Sequence, residues 1–115
     1  MESELKKMHL DTVLSEIADV MEVRRSAAPG SSYVSSLLHG GEDGILKKVI
    51  EEAGEVLMAS KDGNKLNLIK EVADVWFHSM VLLAYHDLRP EDVLMELKRR
   101  QSISGLDEKA ARSAN

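Results

Sequence analysis

Cysteine is absent from these 115 residues, which excludes disulfides and thiolate-bound metals and is compatible with a reducing cytoplasm, the expected location. Proline is confined to Pro29 and Pro90, so long helices can run uninterrupted. Aromatic side chains are limited to Tyr33, Trp76, Phe77 and Tyr85, which leaves Leu, Val, Ile, Met and Ala to build the core. There is no apolar run of about 18 residues, so no membrane span is expected. Positive charge is not in excess either: the formal net charge is −5. That disfavours a grip on a nucleic acid polymer, which needs a basic surface, but leaves room for a phosphate ligand held through a metal.

What is present is helical periodicity. Met1 to Met8 mixes Glu and Lys without an apolar signal core. Residues 1–10 therefore read as a flexible segment and 11–115 as a single all-helical domain. From Asp11 or Thr12, either of which can cap, Val13, Leu14, Ile17, Ala18, Val20 and Met21 recur at helical spacing, and Arg24 and Arg25 suit the C-terminal end. The stretch Ala28-Pro29-Gly30-Ser31-Ser32 breaks the pattern. A short helix follows from Tyr33 and ends at His39-Gly40-Gly41. The next helix is expected from Glu42 or Asp43 to Ser60, a turn at Asp62-Gly63-Asn64, and a long helix over 65–87. Pro90 opens a further helix that ends near Arg100, and 106–112 can form a last short one. No strand-like alternation of useful length occurs, so the fold class is all-α, an antiparallel helical bundle.

The chemistry concentrates between Ile45 and Tyr85. On the first helix of this region Ile45, Leu46, Val49, Ile50, Ala53, Val56 and Leu57 share an arc of about 140° and predict a core face. Glu52 lies at its edge, Glu55 and Lys48 lie just beyond on the same flank, and Glu51 lies further toward solvent. The second helix is apolar almost all round, yet carries Glu71, Asp74 and His78 at i, i+3 and i+7, on one stripe. Carboxylates on so apolar a helix survive when paired, protonated or bound to a metal. Because the turn is short the two helices are expected to be antiparallel neighbours, with Glu52 and Glu55 facing Glu71 and Asp74. Four carboxylates without cysteine make a hard oxygen site suited to magnesium, with manganese as the alternative. The competing reading is a set of ion-paired helix-surface acids, with Lys47, Lys48 or an N-terminal arginine as partners for Glu71 and Asp74 and Lys47 as the partner of Glu51.

At these residues the chain resembles the MazG-like, all-α NTP pyrophosphohydrolase superfamily, whose signature is ExxE on one helix and ExxD on the next. Here these read Glu52-Ala53-Gly54-Glu55 and Glu71-Val72-Ala73-Asp74. The longer stretches 47–55 and 71–78, with Pro29-Gly30-Ser31-Ser32-Tyr33 and Glu108-Lys109-Ala110-Ala111-Arg112, are similar to the phosphoribosyl-ATP pyrophosphohydrolases of histidine biosynthesis. The similarity spans about 12–113. It implies a homodimeric bundle, magnesium at Glu52, Glu55, Glu71 and Asp74, and hydrolysis of phosphoribosyl-ATP to phosphoribosyl-AMP and pyrophosphate by a magnesium-activated water. Two departures stand out. Leu68 occupies a position where the wider superfamily often has lysine, with Lys65 and Lys70 nearby. The cyclohydrolase domain fused in some relatives is not found in these residues, so the next pathway step is expected of a separate protein.

For catalysis the candidates are Glu51, as an outer acid or base, and Glu55. For substrate contact they are Lys48, best placed by wheel angle, His78, Arg99, Arg100 and Arg112. Against these stand bland readings: Lys98 to Arg100 suits a helix C-terminus, and His78 suits a buried, hydrogen-bonded histidine. His9, His39 and His86 have no helical partner that suggests a site. Ser31, Ser32 and Tyr33 either cap a helix or, by the resemblance, lie near substrate. Trp76 and Phe77 read as core or subunit interface, and the all-round apolar helix argues for a symmetric dimer to cover it. Two other functions fit the same pattern: a house-cleaning NTP or dNTP pyrophosphohydrolase of this fold, and a non-catalytic helical dimerisation module.

Overall fold

A computed structural model describes residues 10–103 and 105–114. The expected flexible segment, apart from Leu10, lies outside the described residues. A 3-10 turn, Leu10–Thr12, leads into α1 (Val13–Arg25). Then come α2 (Tyr33–His39), α3 (Glu42–Asp62), α4 (Lys65–Tyr85), α5 (Pro90–Gln101) and α6 (Gly105–Ala114). No strand occurs among the described residues. The chain is the all-α helical bundle its periodicity implies.

The helix ends follow from local chemistry. Ser32 accepts from the Ser35 amide at 3.0 Å and Asn64 from the Asn67 amide at 3.0 Å, each satisfying a first-turn donor of its helix. Gly63, at φ 75°, takes the left-handed conformation that closes α3 and lets α4 start two residues later. α3 runs two residues past the expected Ser60, up to this glycine. α4 stops two residues short of the expected 87, because Asp87 is itself left-handed at φ 62°. Arg25 donates to the Ala84 carbonyl at 2.9 Å and to the Asp87 carboxylate, which fixes that bend. Pro90 occupies the first turn of α5, where its missing N–H costs nothing. Beside it, Arg89 bonds Asp19 and Glu22 of α1 at 2.9 and 2.5 Å and Glu91 at 2.8 Å, tying α5 to α1.

α3 and α4 form an antiparallel hairpin with the most extensive interface in the bundle, and α1 and α2 pack on α4. The core sits at one end of this hairpin. Ala18 and Met21 of α1, Val34 and Leu38 of α2, Ile45 of α3, and Met80, Val81 and Ala84 of α4 are buried together, with Phe77 and Tyr85 half-buried around them. Toward the tip of the hairpin, Ala59 is the buried residue of α3. The predicted core arc of α3 is therefore only partly filled. Ile45 is buried and Val49 and Val56 half-buried, whereas Ile50 is 73% and Leu57 69% exposed. Leu66, Ile69 and Trp76 leave a matching exposed stripe on α4. Among the described residues, no helix covers this stripe on the far side of the hairpin.

Candidate active site

The exposed tip half of the hairpin carries the acids. Its antiparallel register sets Glu52 and Glu55 of α3 beside Glu71 of α4, and the three carboxylates offer oxygens that all lie within 4.8 Å of one another. Burial pushes the Glu71 carboxyl above its ordinary pKa, and the charges of Glu55, Asp74 and Glu52 push it further the same way. The Glu71 oxygen Oε2 is shielded from solvent and has no hydrogen-bond partner. Buried polar atoms are rarely left unsatisfied, so this oxygen marks a place where a ligand is expected. Asp74 is exposed and stands outside the three-way cluster, acting on Glu71 through its charge.

The ion-pair partners of the alternative reading are missing for these acids among the described residues. Lys47 and Lys48 lie 3.9 and 3.7 Å from Glu51, not beside Glu71 or Asp74. Among the described residues, no lysine or arginine makes an ion pair with Glu52, Glu55, Glu71 or Asp74. For Glu51 the bland partnership with Lys47 is present, alongside Lys48. An all-oxygen donor set with uncompensated charge and one orphaned oxygen fits a hard divalent cation.

The remaining candidates are not drawn together. Arg99 and Arg100 both bond Glu96 on their own helix, at 2.7 and 3.1 Å, and hold its carboxyl down to about 2. Arg112 is exposed on α6, whose described residues are all exposed. His78 differs most from a substrate-contacting residue. It is 6% exposed, its Nδ1 lies 2.9 Å from the Asp74 carbonyl, and its Nε2 lies 2.7 Å from the Tyr33 hydroxyl. Both ring nitrogens are thus occupied within the chain. His39 lies 3.1 Å from the Ala27 carbonyl, and His86 lies 2.7 Å from Glu42. Sequence reasoning did not find the Tyr33–His78 contact. The only signal for it was the Pro-Gly-Ser-Ser-Tyr stretch.

Residues 14–101, which include α2 to α5 and both acidic motifs, match the model of the family described as phosphoribosyl-ATP pyrophosphohydrolase. The chain belongs to the phosphoribosyl-ATP pyrophosphohydrolase family. Curated relatives named phosphoribosyl-ATP pyrophosphatase agree closely with it. That of Chromobacterium violaceum is 72% identical over 100 residues, covering 87% of this chain and 93% of the relative. That of Neisseria meningitidis is 66% identical over 103 residues, covering 90% and 96%. That of Nitrosospira multiformis is 54% identical over 102 residues, covering 89% and 84%. Membership of the phosphoribosyl-ATP pyrophosphohydrolase family agrees with the resemblance carried by the two acidic motifs and their flanks.

Proposed function

We propose that this chain hydrolyses the α–β anhydride of phosphoribosyl-ATP, releasing phosphoribosyl-AMP and pyrophosphate, in histidine biosynthesis. The observation that carries the mechanism is the shared acidic cluster, in which Glu71 keeps a shielded, unpartnered oxygen. Glu52, Glu55 and Glu71 would hold magnesium, or manganese in its place, with Asp74 adding charge from the rim. When bound, the ion supplies electrostatic stabilisation of phosphate oxygens and activation of water. Glu51 or Glu55 would accept the proton of the attacking water. The bond that forms is from the water oxygen to phosphorus, the anhydride bond breaks, and pyrophosphate carries away the electron pair. Lys48, half-buried beside Glu51, offers its ammonium group to phosphate charge.

The working unit is a homodimer. Support comes from the exposed stripe of Ile50, Leu57, Ile69 and Trp76, and from an apolar groove of about 290 Å³ walled by Trp76, Leu83, Val93, Leu94 and Leu97. Covering one large apolar side chain contributes roughly 1.5–3 kcal/mol, so such a stripe favours association. No helix is long and apolar enough to cross a membrane among the described residues. A cytoplasmic place beside the other enzymes of a biosynthetic pathway fits that. The test is pyrophosphate release from phosphoribosyl-ATP against a panel of ordinary NTPs and dNTPs, with and without magnesium. Magnesium-dependent turnover of phosphoribosyl-ATP is expected; rapid turnover of dNTPs with none of phosphoribosyl-ATP overturns the substrate assignment.

A further inference from the structure

Tyr33 is the one aromatic residue that reaches the acidic stripe of α4 from another helix. Its hydroxyl lies 2.7 Å from His78 Nε2, and its ring stacks on Phe77 at a centroid separation of 6.5 Å and an interplanar angle of 15°. His78 follows Asp74 by one turn, and the Asp74 carbonyl can only accept a hydrogen bond. Nδ1 must therefore carry the ring proton, and in the neutral ring Nε2 accepts from the Tyr33 hydroxyl. The imidazole is buried, with the Tyr33 and Phe77 rings set edge-on to it at 5.8 and 5.4 Å. Yet Tyr33 itself remains 50% exposed. A large ring with a fixed hydroxyl and an open surface, anchored at His78 about two helical turns along α4 from Glu71, is held more firmly than a solvent-facing tyrosine needs.

The segment leading into Tyr33 is fixed in the same way. Ser35 is fully buried and donates to the Ala28 carbonyl at 2.7 Å, to which Ser31 also donates at 2.6 Å. Trp76, the other well-exposed aromatic, follows Asp74 by two residues and so lies on the opposite side of α4, with the apolar stripe.

We infer that Tyr33 is the aromatic wall against which the purine of the substrate stacks, and that His78 is the positioning residue that holds Tyr33 there. This rests on the nucleotide-hydrolase reading above, with the phosphates placed at the acids. It separates two parts of one site: the carboxylates take the phosphates, and Tyr33 takes the base. Stacking of a base on an aromatic ring accounts for about tenfold in affinity. Tyr33→Ala should weaken binding of phosphoribosyl-AMP by about that factor and raise KM while leaving kcat little changed. Inorganic pyrophosphate, which has no base, should bind the variant as it binds the wild type. Tyr33→Phe keeps the ring and loses the anchor, so its loss should be smaller. His78→Leu should behave like Tyr33→Phe, and His78→Gln, which offers an amide oxygen near the Nε2 position, should recover part of the affinity.

The experiment is calorimetric titration of phosphoribosyl-AMP and, separately, pyrophosphate into manganese-loaded wild type, Tyr33→Ala, Tyr33→Phe, His78→Leu and His78→Gln. Circular dichroism melts confirm that each variant is folded. Selective loss of phosphoribosyl-AMP binding in the order given supports the inference. Equal loss of both ligands, no loss of either, or no phosphoribosyl-AMP binding by wild type overturns it. Pyrophosphate release by wild type from phosphoribosyl-ATP is measured alongside. A turnover-competent enzyme whose Tyr33 variants bind normally sinks only the stacking role, whereas absent turnover sinks the underlying function.

Discussion

Glu55 of α3 and Glu71 of α4 reach each other across the hairpin, with carboxylate oxygens within 4.8 Å. Two ionised carboxylates this close repel each other, which favours a proton on Glu71 or a cation between the two. The raised pKa of Glu71 sets the sign of the pH dependence. The folded, metal-free protein binds this proton more tightly than the unfolded chain does. Its contribution to stability is complete below the ordinary glutamate value and is lost as pH rises through the raised folded value. In EDTA, the wild-type Tm should therefore fall relative to that of Glu71→Gln as pH rises from about 4.5 toward neutrality. Thermal melts of both proteins across that range check this. Parallel curves would contradict it.

Magnesium should reverse that loss at neutral pH. A ligand that binds only the folded state raises its stability in proportion to the logarithm of its saturation. Wild-type Tm should climb with added magnesium, and Glu71→Gln should climb far less. Differential scanning calorimetry over a magnesium series reads both.

Glu51 separates a proton-transfer role from a surface one. If it accepts the water proton, Glu51→Gln lowers kcat by a factor on the order of 100 or more while divalent-ion affinity stays near the wild-type value. If its only business is with Lys47 and Lys48, the change in kcat is within about twofold, since exposed ion pairs contribute little. Steady-state kinetics with a parallel manganese titration decides.

Disrupting the exposed stripe should separate the protomers. Ile50→Asp with Leu57→Asp places charge where a partner is expected to cover apolar surface, and sedimentation equilibrium should show the mass fall from dimer to monomer at micromolar concentration. Each exposed side chain contributes roughly 1.5–3 kcal/mol when covered, so two such changes weaken association strongly. A wild-type monomer would remove the reason for the stripe.

The helices were readable because their punctuation is local: Ser32, Gly63, Asn64 and Pro90 each carry a start or stop in their own chemistry. Asp87 was not readable, since its left-handed position is the local helix end closed by the Leu88 amide on the Leu83 carbonyl, a place glycine usually marks and aspartate seldom does. The acidic cluster was legible because two short spacings on adjacent helices of matched register bring Glu52, Glu55 and Glu71 together. The finer arrangement, with Asp74 outside the trio, depends on side-chain direction that a helical wheel does not give. The α3 arc was legible as apolar but not as half-exposed, because periodicity marks a face and not what covers it. The Tyr33–His78 bond joins residues 45 apart on different helices, and no spacing rule connects them.

The most direct measurement is calorimetric titration of manganese into the wild type, Glu52→Gln, Glu55→Gln and Glu71→Gln. Saturable binding to the wild type, weakened by at least about tenfold in each variant, is the predicted result. Identical isotherms for all four proteins, or no binding to any of them, would contradict a shared cation site at the hairpin.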